Sequence, residues 1–156
     1  RQRQMCIRDR QSSEKCDGYS RKVYERLVNG SATEVELSSA LLDLSAMLHS
    51  HYDVAPVIII DEYDTPIQQG HSEDYYDKII RFMRNLFSGG FKDNSHLSFG
   101  FLTGILRVAK ESIFSGMNNL SINSVLDNKY SAYFGFTADE VREMAAYYDA
   151  ADKYDG

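Results

Sequence analysis

Three carboxylates, Asp61, Glu62 and Asp64, stand directly behind the apolar run Val57-Ile58-Ile59-Ile60. An acid at the end of a strand has its backbone fixed, so one of its oxygens can be held on Mg²⁺ or on a water bound to it. The acid that follows can activate a water for attack on a phosphoryl group, a reaction in which catalysis is mostly positioning and electrostatics. In open α/β sheets ligands bind just beyond the carboxyl ends of the strands. The same three acids equally fit a plainer reading, in which they solvate a loop or cap the next helix. The local spacing leaves these two readings even. Asp64, directly before Thr65-Pro66, fits a turn residue slightly better than an acid standing behind the other two.

Other residue types offer less. Arg107 follows a second apolar run and has the reach to meet a phosphate, but a packing ion pair fits it better. Asn118 and Asn119 suit a turn or a cap more than a ligand set. The four histidines, His49, His51, His71 and His96, are dispersed, and a two-residue spacing is poor for zinc on one helix face. No Ser-His-Asp or Cys-His set can be assembled from spacing. The eleven tyrosines have no basic stripe beside them, so they read as core-edge residues rather than base-stacking platforms. A metal-dependent nuclease built on Asp61, Glu62 and Asp64 would want a lysine on a neighbouring strand, and neither apolar run carries one.

The elements that must position these acids follow from periodicity. Residues 17–29 carry Tyr19, Val23, Tyr24, Leu27 and Val28 near helical spacing, and Gly30 stops them. Ser31-Ala-Thr-Glu34 and Thr33-Glu-Val-Glu36 both match a capping box. They precede a helix with Leu37, Leu41, Leu44 and Leu48 on one face, ending near His51. Val57–Ile60 shows no alternation, which predicts a strand buried on both faces. Pro66 is expected to close the loop after it. Residues 73–87 predict a helix with Tyr76, Ile79, Ile80, Met83 and Leu86/Phe87 inward, broken by Gly89-Gly90. Leu97–Leu102 predicts a second buried strand, and Ala132–Phe136 a third. Thr137-Ala-Asp-Glu140 is a further capping box, opening a helix to about Tyr148. The order reads as α/β with a parallel sheet flanked by helices.

Composition bounds the rest. The chain has 156 residues, 43% hydrophobic and 26% charged, which excludes a mostly disordered chain or a fibre. No apolar run approaches the roughly 18 residues of a membrane span. A net charge of −6 leaves no broad cationic footprint for nucleic acid. Two cysteines, Cys6 and Cys16, fit a reducing compartment, and the expected location is cytoplasmic. Residues 1–10, RQRQMCIRDR, resemble a translated adapter read-through and read as non-native.

The stretches Pro56–Ile67, Phe101–Ile105 (FLTGI), Ser112–Leu120 (SIFSGMNNL) and Phe134–Thr137 (FGFT), in that order, resemble a family of bacterial AAA-like ATPases. The likeness spans about residues 31–148. It implies a partial P-loop NTPase core over residues 11–136 and the start of a helical lid over 137–156. Family members often carry a restriction-endonuclease-like domain after the ATPase, so such a domain is a candidate partner in a longer parent.

Carried over position by position, the likeness implies that Asp61 is the Walker B acid holding Mg²⁺ and that Glu62 polarises the attacking water. It implies that Thr103 is a polar sensor of the attacking water or the γ-phosphate; Arg107, after the sensor strand, is kept as a further nucleotide-binding candidate on its reach alone. The cofactors implied are ATP and Mg²⁺. The family's strand order predicts Val57–Ile60 and Leu97–Leu102 as adjacent parallel strands, with Asp61 beside Thr103. No stretch matches Gly-x-x-x-x-Gly-Lys-Ser/Thr, the loop that cradles phosphates. The expectation is therefore a core whose first half, with that loop, lies upstream. The competing expectation is a non-catalytic interaction or regulatory module on the same scaffold.

Overall fold

The computed structural model describes Lys15 and residues 17–105, 113, 114, 117 and 120–150. The chain divides into two compact units, Arg1–Asn118 and Asn119–Gly156.

The first described element of the first unit is α1 (Gly18–Val28), capped by Asp17, whose carboxylate accepts from the Tyr19 and Ser20 amides at 2.8 and 3.0 Å. Only one of its apolar positions, Val23, is fully buried, while Tyr19 and Val28 face solvent. Then comes α2 (Glu34–Tyr52). Of the two capping boxes in its sequence, the backbone uses Thr33 and Glu36, each side chain bonded to the other's amide. Glu36 does double duty. Its carboxylate also takes the Arg26 guanidinium, tying α1 to α2. The Arg26 hydrogen bond, helped by the Thr33 amide, draws the Glu36 carboxyl down to about 2.

Strand β1 (Val57–Ile60) pairs in parallel with β2 (Phe99–Leu102), in the register Val57↔Phe99 to Ile60↔Leu102. Between them run α3 (Thr65–Ser72) and α4 (Tyr76–Phe91). The core joins Ile67, Ile80, Met83, Phe87 and Ile113, with Ile60 and Leu102 of the sheet against it.

Three expectations change here. The expected cover on both faces of the strands is not found: Ile58 and Ile60 turn inward, whereas Ile59 and Phe99 remain 71% and 60% exposed. A pleated strand alternates its faces whatever its composition, and the described residues cover one of them. Pro66 does not close a loop; it occupies the first turn of α3, where its missing N–H costs nothing. Nor do Gly89 and Gly90 break α4, which continues to Phe91. The glycines serve the packing of α4 on α2: a Cβ at Gly90 would sit 2.8 Å from the Leu41 Cβ.

The second unit contains a 3₁₀ segment, Asn128–Tyr133, and α5 (Ala138–Tyr147). The third strand expected at Ala132–Phe136 is absent. Gly135 turns the chain at a φ of +75°, and Tyr133, Phe134 and Phe136 are exposed. Aromatic residues favour strands when a half-buried pleated surface is there to receive them. The Thr137–Glu140 capping box forms as read.

Candidate functional site

The site grows from the last rungs of the two strands. The register that sets Ile60 opposite Leu102 carries the chain one residue further, so that Asp61 and Thr103 emerge side by side. The Thr103 amide donates to the Ile60 carbonyl at 2.9 Å and keeps the pairing to the end. Above it the Thr103 hydroxyl donates to Asp61 Oδ1. The same oxygen accepts the Glu62 amide at 3.0 Å. Both donors fall on Oδ1, and Asp61 itself is exposed.

Glu62 lies next to this pair in the left-handed region, at a φ of +53°. A non-glycine residue pays roughly 1 kcal/mol or more for that conformation. Its carbonyl accepts the Thr65 amide at 3.1 Å, so the turn leads straight into α3. The Glu62 side chain is exposed.

The second half of the loop behaves differently. The Tyr63 amide donates to the Thr103 carbonyl at 3.0 Å. Its ring lies in edge contact with Phe87 and Phe114, at 6.3 and 5.4 Å between centroids. Phe114 in turn stacks on Phe87, and Ile113 is buried in the core. Two apolar residues of the SIFSGMNNL stretch thus support the loop from below. Asp64 is 1% exposed. Its Oδ2 accepts from Gln68 Nε2 at 2.9 Å and from the Ile105 amide at 3.2 Å. Sequence reading favoured Asp64 as a turn residue; the structure buries it against the exit of β2. The signal that could have found it is Gly104, the small residue that lets this carboxylate approach.

Among the described residues, no group of three or more His, Cys, Asp or Glu could hold a metal ion. What the strand ends do offer is one exposed carboxylate beside a hydroxyl. These are hard oxygen donors, which suit Mg²⁺ bound through one carboxylate with several retained waters, and they do not suit a zinc site. Glu62 stands beside that carboxylate and is open to solvent. Arg107, Asn118 and Asn119 lie outside the described residues.

A family model described as "Predicted AAA-ATPase" matches residues 4–114, more than two thirds of the chain. This chain belongs to the AAA-ATPase-like family. A relative in Azotobacter chroococcum mcd 1, described as an uncharacterized protein in the vnfD 5' region, is 32% identical over 141 residues. That alignment takes in 90% of this chain and 27% of the relative, so the chain spans about a quarter of the relative's length. No solved structure matches the chain. The strand-end acids of this AAA-ATPase-like chain all fall within the matched stretch. No helix among the described residues is long and apolar enough to cross a membrane.

Proposed function

We propose that this chain forms part of a Mg²⁺-dependent ATPase core. Asp61 holds the ion through a bound water, Glu62 polarises the water that attacks the γ-phosphate, and Thr103 senses that phosphate. The bound ion would neutralise charge on the phosphates as they are transferred. One observation carries the reading: an exposed acid and a hydroxyl meet at the carboxyl ends of two adjacent parallel strands. That is where ligands of open α/β sheets bind. The exposed Glu62 stands within one residue of the pair, on a backbone twisted into the left-handed region. Such strain concentrates at functional sites.

The 156 residues contain no Gly-x-x-x-x-Gly-Lys-Ser/Thr loop. The reading therefore includes a phosphate-cradling loop contributed by polypeptide outside them, and ATP turnover is proposed for the whole protein. Loss of γ-phosphate contacts on hydrolysis would then release the elements they order. The absent loop equally favours the second reading, a regulatory or interaction module that keeps the scaffold without turnover.

Binding of a fluorescent ATP analogue to the whole protein, with and without Mg²⁺, separates the two. The ATPase reading expects Mg²⁺-dependent binding that Asp61→Asn weakens by about tenfold or more, the loss of one charged interaction of ~1.4 kcal/mol. Absence of binding, or binding indifferent to Mg²⁺ and to Asp61, would leave the module as the account of this chain.

A further inference from the structure

Asp64 is a buried carboxylate for which the chemistry above has no use. A helix-starting acid ordinarily spends its side chain on the free amides of the first turn. Asp64 stands at that position of α3, yet its side chain makes no capping bond. The Asp64 main-chain carbonyl serves the helix instead, accepting the Ile67 and Gln68 amides at 3.0 Å each. The carboxylate is turned the other way, across to the exit of β2. There Oδ2 holds the Ile105 amide, and Gln68, one turn along α3, steadies the same oxygen from behind.

Gly104 shows how closely the two strand exits are pressed together. A Cβ on that residue would lie 2.6 Å from Asp64 Oδ1 and 2.7 Å from the Tyr63 ring. The Thr103 main chain is already bonded at both its amide and its carbonyl, to Ile60 and Tyr63. The direction in which the chain leaves Thr103 is set by the next two residues, and these lie against Asp64. Burying a carboxylate is costly unless it is well hydrogen-bonded, and one of the bonds this one makes holds a neighbouring segment at the Ile105 amide.

We infer that Asp64 is a positioning residue. It fixes the segment from Thr103 to Ile105, and so sets where the Thr103 hydroxyl meets Asp61. The inference deepens the proposed ATPase reading and rests on it for its effect on turnover.

Two measurements test it. In the 156-residue chain, three-bond couplings report whether the Thr103 side chain keeps one rotamer. In the whole protein, phosphate release and nucleotide binding are measured in parallel. Asp64→Ala should average the Thr103 couplings and lower kcat about tenfold, equivalent to ~1.4 kcal/mol, with nucleotide affinity unchanged. Asp64→Asn keeps an oxygen able to accept both bonds and should restore the wild-type couplings. Met83→Ala, in the core, serves as the control for lost stability and should leave the Thr103 rotamer fixed. Should Asp64→Ala fail to fold, Gly104→Ala displaces the same contact and is read in the same way.

The inference is overturned if Thr103 keeps its rotamer in Asp64→Ala, or if Met83→Ala releases it equally. A wild-type protein that releases no phosphate would refute the ATPase reading alone, since the couplings still decide the role of Asp64.

Discussion

The loop Asp61–Asp64 falls into two regions with opposite surroundings. Asp61 and Glu62 are exposed and share their contacts with one hydroxyl and with the loop's own backbone. Tyr63 and Asp64, the next two residues, are drawn inward and hold the ring of Phe114 and the amide of Ile105. The difference teaches that the number of acids in a motif does not say how many do chemistry. One pair faces solvent, and the other is turned inward against Phe114 and the exit of β2. Left-handed Glu62 sits at the junction between the exposed and the inward pair.

The largest effect should come from the buried region. Asp64→Ala leaves the Ile105 amide and the Gln68 side chain without their acceptor. Each hydrogen bond lost is worth about 0.5–1.5 kcal/mol. Asp61→Ala and Glu62→Ala, at exposed positions, should stay within about 0.5 kcal/mol of the wild type. Urea denaturation of the three variants reads the contrast directly. Equal destabilisation of all three would dissolve the distinction between the two halves.

Gly104→Ala tests the same contact from the other strand. Its new methyl must displace a carboxylate oxygen and an aromatic ring, at a cost of about 1–3 kcal/mol. Thermal melting should show that loss, whereas Gly18→Ala meets open space and should show none of this clash. A wild-type melting temperature for Gly104→Ala would mean that the loop is looser than the contacts here imply.

The smallest effect lies outside the loop and sharpens the comparison by exclusion. Glu36 is held at about 2 by its bond to Arg26, below the ordinary carboxylate value. A lowered folded-state value stabilises the chain above the unfolded value near 4.3. That stabilisation is lost as pH falls from there toward 2. Melting scans between pH 5 and pH 2 should therefore fall less steeply in Glu36→Gln than in the wild type. An unchanged acid limb in Glu36→Gln would remove the Arg26–Glu36 tie from the account and return the acid response to other carboxylates.

How much of this could be read from the residues themselves divides along the same line. Local rules acted alone at the Thr33–Glu36 and Thr137–Glu140 boxes, and both formed where the side-chain spacing put them. The run Val57–Ile60 announced a strand because four β-branched residues fit a pleat. Its place beside β2 came from the family likeness, and that likeness also brought Asp61 next to Thr103. What was not legible depended on neighbours distant in sequence. Helix α3, Thr65–Ser72, is short and contains proline and glycine, so its propensity is weak; Ile67 and Gly70 are buried within it all the same. The continuation of α4 through Gly89-Gly90 was set by Leu41 across the interface. The amide that Asp64 turns inward to meet belongs to Ile105, 41 positions away. One-sided exposure of β1 and β2 could not be foreseen from an apolar run, which has the same composition on both faces.

The central claim is that the exposed half of the loop does the chemistry. It is tested most directly by phosphate release from the whole protein carrying Glu62→Gln, with nucleotide binding measured beside it. Glutamine keeps the size of the side chain and removes the charge that polarises water. The account predicts binding close to the wild type and hydrolysis lower by about 10²–10⁴-fold, the usual worth of general-base assistance. Hydrolysis at the wild-type rate would contradict it.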